Sequence, residues 1–158
     1  MRRSLLILDD DHFRLEHCDT CPVPGYLILH TKGGCRSLAD LDGPAAARLG
    51  VALARATRAI QAVVEPERVY CLLFAEVLHE VHFHLFPRSR WLLEAYWKDR
   101  GTGDEPVDGP GLFQWTRARL GLGVPSPAHG QDVGEVCGRI RSRLAAPEER
   151  PVMEEAVT

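Results

Sequence analysis

No apolar run in this 158-residue chain approaches the length that crosses a bilayer, so a membrane-spanning role is not expected. Met1-Arg2-Arg3-Ser4 followed by Leu5-Leu6-Ile7-Leu8 starts like a leader peptide. The apolar stretch is too short for one, however, and runs into Asp9-Asp10-Asp11. Strong charge is missing too. The formal net charge is −3, which excludes the broad basic face that an extended nucleic-acid backbone needs, while leaving room for a local positive pocket. Five cysteines, an odd number without regular spacing, do not make a disulfide framework, and reduced thiols in a cytoplasmic protein are the expected state. Internal repeats and low-complexity tracts are absent.

What remains is ordinary globular material, 45% hydrophobic and 26% charged, enough to bury a core. Residues 1–147 are expected to form one domain and 148–158 a flexible tail. Residues 1–21 read as polar chain with short apolar patches lying over the core. Tyr26-Leu27-Ile28-Leu29, after the turn residues Pro22-Val23-Pro24-Gly25, reads as a buried strand closed by Lys32-Gly33-Gly34. From Gly43 to Val64 the apolar residues Leu49, Leu53, Ala56, Ile60 and Val63 step by four and three, predicting a helix capped by Asp42 and stopped by Pro66. Val69 to Phe74 predicts a strand, and Val81 to Phe86 another, ended by Pro87. A short helix is expected over 89–98, a mobile loop over Gly101–Gly111, and a C-terminal helix through Val133, Cys137, Ile140 and Leu144. The pattern is α+β.

Glu80-Val81-His82-Phe83-His84-Leu85 carries the chemistry. On an extended strand alternate side chains share a face about 6.6 Å apart, which puts Glu80, His82 and His84 on one side and Val81, Phe83 and Leu85 on the other. The second set is uniformly apolar. The first is a carboxylate and two imidazoles, which no core selects freely. A neutral imidazole can attack phosphorus, and a second, protonated one can hold a phosphoryl oxygen or protonate a leaving group. The same spacing also suits metal coordination, and the residues alone leave both chemistries open.

The run from Glu76 to Arg88 resembles the signature of the histidine-triad superfamily of nucleotide hydrolases and transferases, His-x-His-x-His followed by apolar residues and often Pro-Arg. Pro24 to Leu29, Ser37 to Leu41 with the long helix, and Arg68-Val69-Tyr70 resemble its preceding segments. The likeness covers roughly residues 15–90. It implies a five-stranded antiparallel sheet with a long helix and a C-terminal helix, paired into a homodimer through the long helix and an edge strand. It also implies attack by His82 on the α-phosphate of a nucleoside phosphoramidate, nucleotidyl conjugate or dinucleoside polyphosphate, with His84 stabilising or donating.

Glu80 occupies the first triad position and is expected to orient His82, while Val77 stands where the family has a small polar phosphate contact. Arg88, Glu76 and His79 are candidate nucleotide or phosphate contacts. Trp115 is a candidate base-stacking residue. No cofactor is required by this reading. Some members of the superfamily bind structural zinc through a comparable Cys-x-x-Cys, which makes Cys18, Cys21 and Cys35, with one of His79, Glu80 or His84, a candidate zinc set. His30 reads as a surface residue, His12, His17 and His129 carry no readable signal, and Cys71 and Cys137 read as core. The rival readings are a nucleotide-binding protein without turnover and a zinc-stapled interaction protein.

Overall fold

The computed structural model describes residues 5–103, 106–121 and 131–146. Five strands, β1 (Leu6–Asp9), β2 (Phe13–His17), β3 (Leu27–Thr31), β4 (Arg68–Leu72) and β5 (His82–Arg88), form one antiparallel sheet in the order β1-β2-β3-β5-β4. Among the described residues four α-helices accompany it: α1 (Gly43–Val64), α2 (Arg90–Arg100), α3 (Gly109–Arg119) and α4 (Val133–Ala145). The five-stranded sheet, the long helix and the C-terminal helix are all present. The candidate tail 148–158 and His129 lie outside the described residues.

Strand alternation divides the core into two layers. Phe13 and Leu15 of β2, Leu27 and Leu29 of β3, and Phe83 and Leu85 of β5 pack with Val81 beneath α1 and α4. On the other face Tyr26 and Phe86 pack with α2 and α3 through Leu92, Leu93, Tyr96, Leu112 and Phe113. Each fully buried leucine or isoleucine here stabilises the fold by roughly 1.5–3 kcal/mol. Helix α1 begins where the side chain of Asp42 accepts from the N–H of Ala45 at 2.7 Å, with Pro44 in its first turn, and ends at Glu65 in left-handed backbone before Pro66.

Several expectations are corrected. Within the segment read as polar chain lying over the core, Leu6–Asp9 and Phe13–His17 form the β1–β2 hairpin, turned by Asp10, whose carboxylate accepts from the backbone N–H groups of His12 and Phe13. Strand β4 stops at Leu72, leaving Phe74 exposed, and Cys71 is exposed on this edge strand rather than in the core. Strand β5 starts at His82 and runs through Pro87 to Arg88. Proline is tolerated because pairing with β3 ends at Leu85, so β5 has only β4 beside it there. The loop expected over Gly101–Gly111 ends earlier: Asp108 caps α3 by accepting from the N–H of Gly111, with Pro110 in the first turn.

Gly25 sets the entry to β3 and so the position of Tyr26. Its φ of +78° lies in the left-handed region, and an added Cβ would sit 2.5 Å from a methyl of Val64 on α1. Gly25→Ala should destabilise the protein by about 1–3 kcal/mol. A urea unfolding midpoint unchanged by the substitution would show that this packing is unimportant.

Candidate active site

The sheet register assembles the site as rows across neighbouring strands. Arg14, His30 and His82 lie side by side in one row, and Glu16, Ile28, His84 and Leu72 in the next. All these side chains belong to the face that α2 and α3 partly cover. The imidazoles of His82 and His84 are buried at 8% and 6% exposure, and their rings meet edge to face with centroids 5.0 Å apart. They point to the same place.

The tautomer of His82 follows from its partner. Its Nδ1 lies 2.7 Å from the main-chain carbonyl of Glu80, and a carbonyl only accepts, so Nδ1 carries the proton. In the neutral ring Nε2 then holds the lone pair, the form that attacks an electrophile. The carbonyl is in place because the chain leaves the ladder just before β5. The N–H of Val81 donates to the carbonyl of Cys35 at 2.8 Å, and the carbonyl of Val81 accepts from both N–H and Oγ1 of Thr31.

This corrects the part expected of Glu80. Its side chain does not share a face with His82 and His84, because β5 begins at His82 and Glu80 sits in the preceding bend, exposed. Its backbone orients His82; its carboxylate does not. Glu76, Val77 and His79 belong to the same exposed loop, Val77 being 99% exposed.

His84 is set by a relay that the sequence did not reveal. The guanidinium of Arg117, on α3, donates to the phenolic oxygen of Tyr26 at 3.3 Å, and that hydroxyl lies 2.8 Å from Nδ1 of His84. With its oxygen accepting from arginine, the phenol donates to Nδ1, so neutral His84 carries its proton on Nε2. Burial, reinforced by His82 and then by Arg117 and His30, lowers the His84 pKa to about 4. His84 is thus a neutral donor at neutral pH. Burial likewise holds the Tyr26 phenol above its ordinary value, keeping its proton in place. Phe113 closes this end, its ring edge-on to both His84 and Tyr26, with the guanidinium of Arg117 over it and Phe74 stacked alongside.

A third imidazole joins the pair. His30, read from sequence as a surface residue, is the register partner of His82, and its ring stacks on that of His82 at 5.8 Å. Its Nε2 is 3.2 Å from Oε1 of Glu16, close enough for an ion pair but off the line of a hydrogen bond.

Other candidates lie elsewhere. Arg88 is at the far end of β5, about 13 Å along the strand from His84, and pairs with Glu67 at 3.2 Å. Trp115 packs against Tyr96 and donates from its indole nitrogen to Asp99. Cys18 and Cys21 lie near the start of β3 and Cys35 beyond its end, roughly 13 Å apart along the strand, so the candidate zinc set does not converge. No group of three or more His, Cys, Asp or Glu side chains among the described residues is arranged to hold a metal ion. Burial pushes the Cys21 thiol up to about 12, away from the thiolate a metal takes. His17 is a clamp on the same turn, its two ring nitrogens 2.8 and 2.9 Å from the carbonyls of Cys18 and Val23.

Among solved structures the same fold occurs in histidine-triad proteins. A histidine triad protein from Bradyrhizobium japonicum matches with a TM-score of 0.56 at 17% identity, over 89% of this chain and 90% of that one. A zinc-bound histidine triad family protein from Mycobacterium smegmatis matches at 0.56 and 16%, over 89% and 83%. A hypothetical histidine triad nucleotide-binding protein from Sulfolobus tokodaii matches at 0.57 and 15%, also over 89% and 83%. No family model matches the sequence, and no curated protein matches it. At these identities the likeness is one of fold, and the chain has the histidine-triad fold. No helix among the described residues is long and apolar enough to cross a membrane.

Burial of His84 ties the site to stability. Its folded pKa of about 4 lies below the ordinary 6.5, so on acidification the unfolded chain takes up this proton first. The stability is fully present above pH 6.5 and is lost as pH falls towards 4. His17 and His30 are lowered too, first by burial, and act in the same direction. The melting temperature should therefore fall between pH 6.5 and 4, and less steeply in His84→Gln. Equal slopes for the two proteins would contradict this account.

Proposed function

We propose that this protein binds nucleoside phosphates against the His82–His84 face and cleaves or transfers them at the α-phosphate through a nucleotidyl-histidine intermediate. The observation that carries this reading is the tautomer of His82: Nδ1–H is committed to the Glu80 carbonyl, and Nε2 faces the site as a free base. Attack by that nitrogen forms a P–N bond as the bond to the leaving group breaks. Water or an acceptor phosphate then takes the nucleotidyl group and releases His82. Nε2–H of His84 donates to a phosphoryl oxygen, held in that tautomer by Tyr26 and Arg117. Arg117 also supplies positive charge at the edge of the pocket.

Nucleoside phosphoramidates, nucleotidyl conjugates and dinucleoside polyphosphates all offer such a centre and are the proposed substrate class. The Sulfolobus tokodaii protein of the same fold, described as nucleotide-binding, supports a nucleotide ligand. A homodimer through α1 and an edge strand belongs to this reading, and apolar Val51, 55% exposed on α1, supports it. A second reading, nucleotide binding without turnover, is favoured by one observation: position 80 brings no imidazole to the pocket.

Incubation with AMP-morpholidate or a dinucleoside polyphosphate should release AMP from the wild type, and His82→Ala should lose at least about a thousandfold in rate. Equal release by the two proteins removes the enzymatic reading. Calorimetric binding of AMP without release selects the second one.

A further inference from the structure

We propose that His30, backed by Glu16, is a phosphate-binding residue that takes up a proton as the phosphate enters, and so supplies the third imidazole that position 80 lacks. The inference rests on the nucleotide reading above and adds a residue and a charge change to it.

Placement is the first argument. The first triad slot lies along β5 from His82, at residue 80, where the chain has already left the sheet. His30 instead stands beside His82 on β3, one strand spacing or about 4.8 Å away, and its ring stacks on that of His82 with planes 23° apart. A phosphorus atom within reach of His82 Nε2 would carry its non-bridging oxygens over this neighbour. No other titratable side chain on β3 lies on this face of the sheet, because Leu27, Leu29 and Thr31 point to the opposite one.

The second argument is the set of charges around the ring. Glu16 on β2 places Oε1 3.2 Å from His30 Nε2, and Arg14 on the same strand shares that carboxylate at 2.8 Å. His82 and His84 face His30 from β5, and Arg117 reaches the far side of His84 from α3. Nε2 of His30 is buried and has no hydrogen-bond partner among the described residues. A buried ring nitrogen beside a carboxylate that it does not bond is poised to gain a proton and form a charge-assisted bond.

Burial outweighs Glu16, and with His82 and Arg14 also opposing, His30 stays below the ordinary imidazole value and neutral. A bound phosphate brings negative charge to the side facing His82 while Glu16 holds the other. Both then favour the imidazolium, and the proton comes from solvent. By linkage, phosphate affinity should rise as pH falls towards about 6.5, until the ligand, with a second pKa near 6, itself gains a proton.

Calorimetry of AMP binding to the full chain at pH 7.5, in buffers of different ionisation enthalpy, reads the uptake directly. Wild type should take up about half a proton per nucleotide. His30→Gln should bind roughly tenfold more weakly with uptake near zero, and Glu16→Gln should lose most of the uptake. Unchanged uptake in a folded His30→Gln overturns the proposal. A measurement on wild type alone guards against a variant that fails to fold. The ¹⁵N-imidazole titration of His30 should move up by at least about one pH unit when AMP is present, and a midpoint that does not move is equally fatal. Failure of AMP and of inorganic pyrophosphate to bind at all has a different meaning: it removes the nucleotide reading, and this inference with it.

Discussion

One hydrogen bond, from Nδ1–H of His82 to the carbonyl of Glu80, decides what the site can do. A carbonyl oxygen only accepts, so the bond fixes the tautomer of the neutral ring without help from any charge, and in that ring the lone pair is on the outer nitrogen. The bond exists because the chain bends away from the sheet immediately before β5. Val81 is held there by Cys35 on one side and Thr31 on the other, which turns the Glu80 carbonyl towards the ring. A side chain doing the same job would be free to rotate and titrate. A main-chain carbonyl anchored by two backbone hydrogen bonds is neither.

On the reading proposed above, the pocket around this anchor has to reconcile nucleophilicity with anion binding. Attack on phosphorus needs neutral imidazole, whereas holding a phosphate needs positive charge. The Glu80 carbonyl sets the His82 tautomer for the first requirement, while burial under α2 and α3, with His82 close by, penalises the imidazolium of the neighbouring His84. The second is met from the rim. Arg117 is exposed, so its charge costs little to keep, and it acts through Tyr26 and across the face of Phe113. The aromatic packing of Tyr26, Phe86 and Phe113 gives the relay a fixed geometry. Fold and chemistry meet in these residues: the layer that closes the second core also holds the proton on the right nitrogen of His84.

How much of this was legible in the sequence depends on how local each signal is. Helix α1 was legible to its ends, because Asp42 and Pro66 punctuate a regular apolar stripe. The alternation of β5 separated Phe83 and Leu85 from His82 and His84 correctly, since period two is a property of one strand. The N-terminal hairpin was missed although Phe13-Arg14-Leu15-Glu16-His17 alternates. Five residues interrupted by charge fall below what a short window resolves. Helix α3 hid behind Gly109-Pro110-Gly111, which reads as a turn unless Asp108 is recognised as its cap. Arg117 was illegible for that reason. Arg88, adjacent in sequence to the motif, was chosen in its place, yet adjacency along an extended strand means distance. Cys18, Cys21 and Cys35 failed as a zinc set on the same account, with the length of β3 between them.

The departure at position 80 shows why a linear motif understates a site built on a sheet. Reading along β5 finds two imidazoles and a gap; reading across the strands finds Arg14, His30 and His82 in one row and Glu16 and His84 in the next. In an antiparallel sheet the lateral neighbour is closer than the residue two positions along, about 4.8 Å against about 6.6 Å. An imidazole on β3 therefore reaches a ligand at His82 at least as easily as one at position 80. The backbone of residue 80 keeps its orienting role whatever side chain it bears, because only its carbonyl is used. The side chain is thus free to be glutamate, and it is exposed. The glutamate at position 80 and the histidine on the adjacent strand are then two sides of one geometric fact: the rings gather in rows across the sheet.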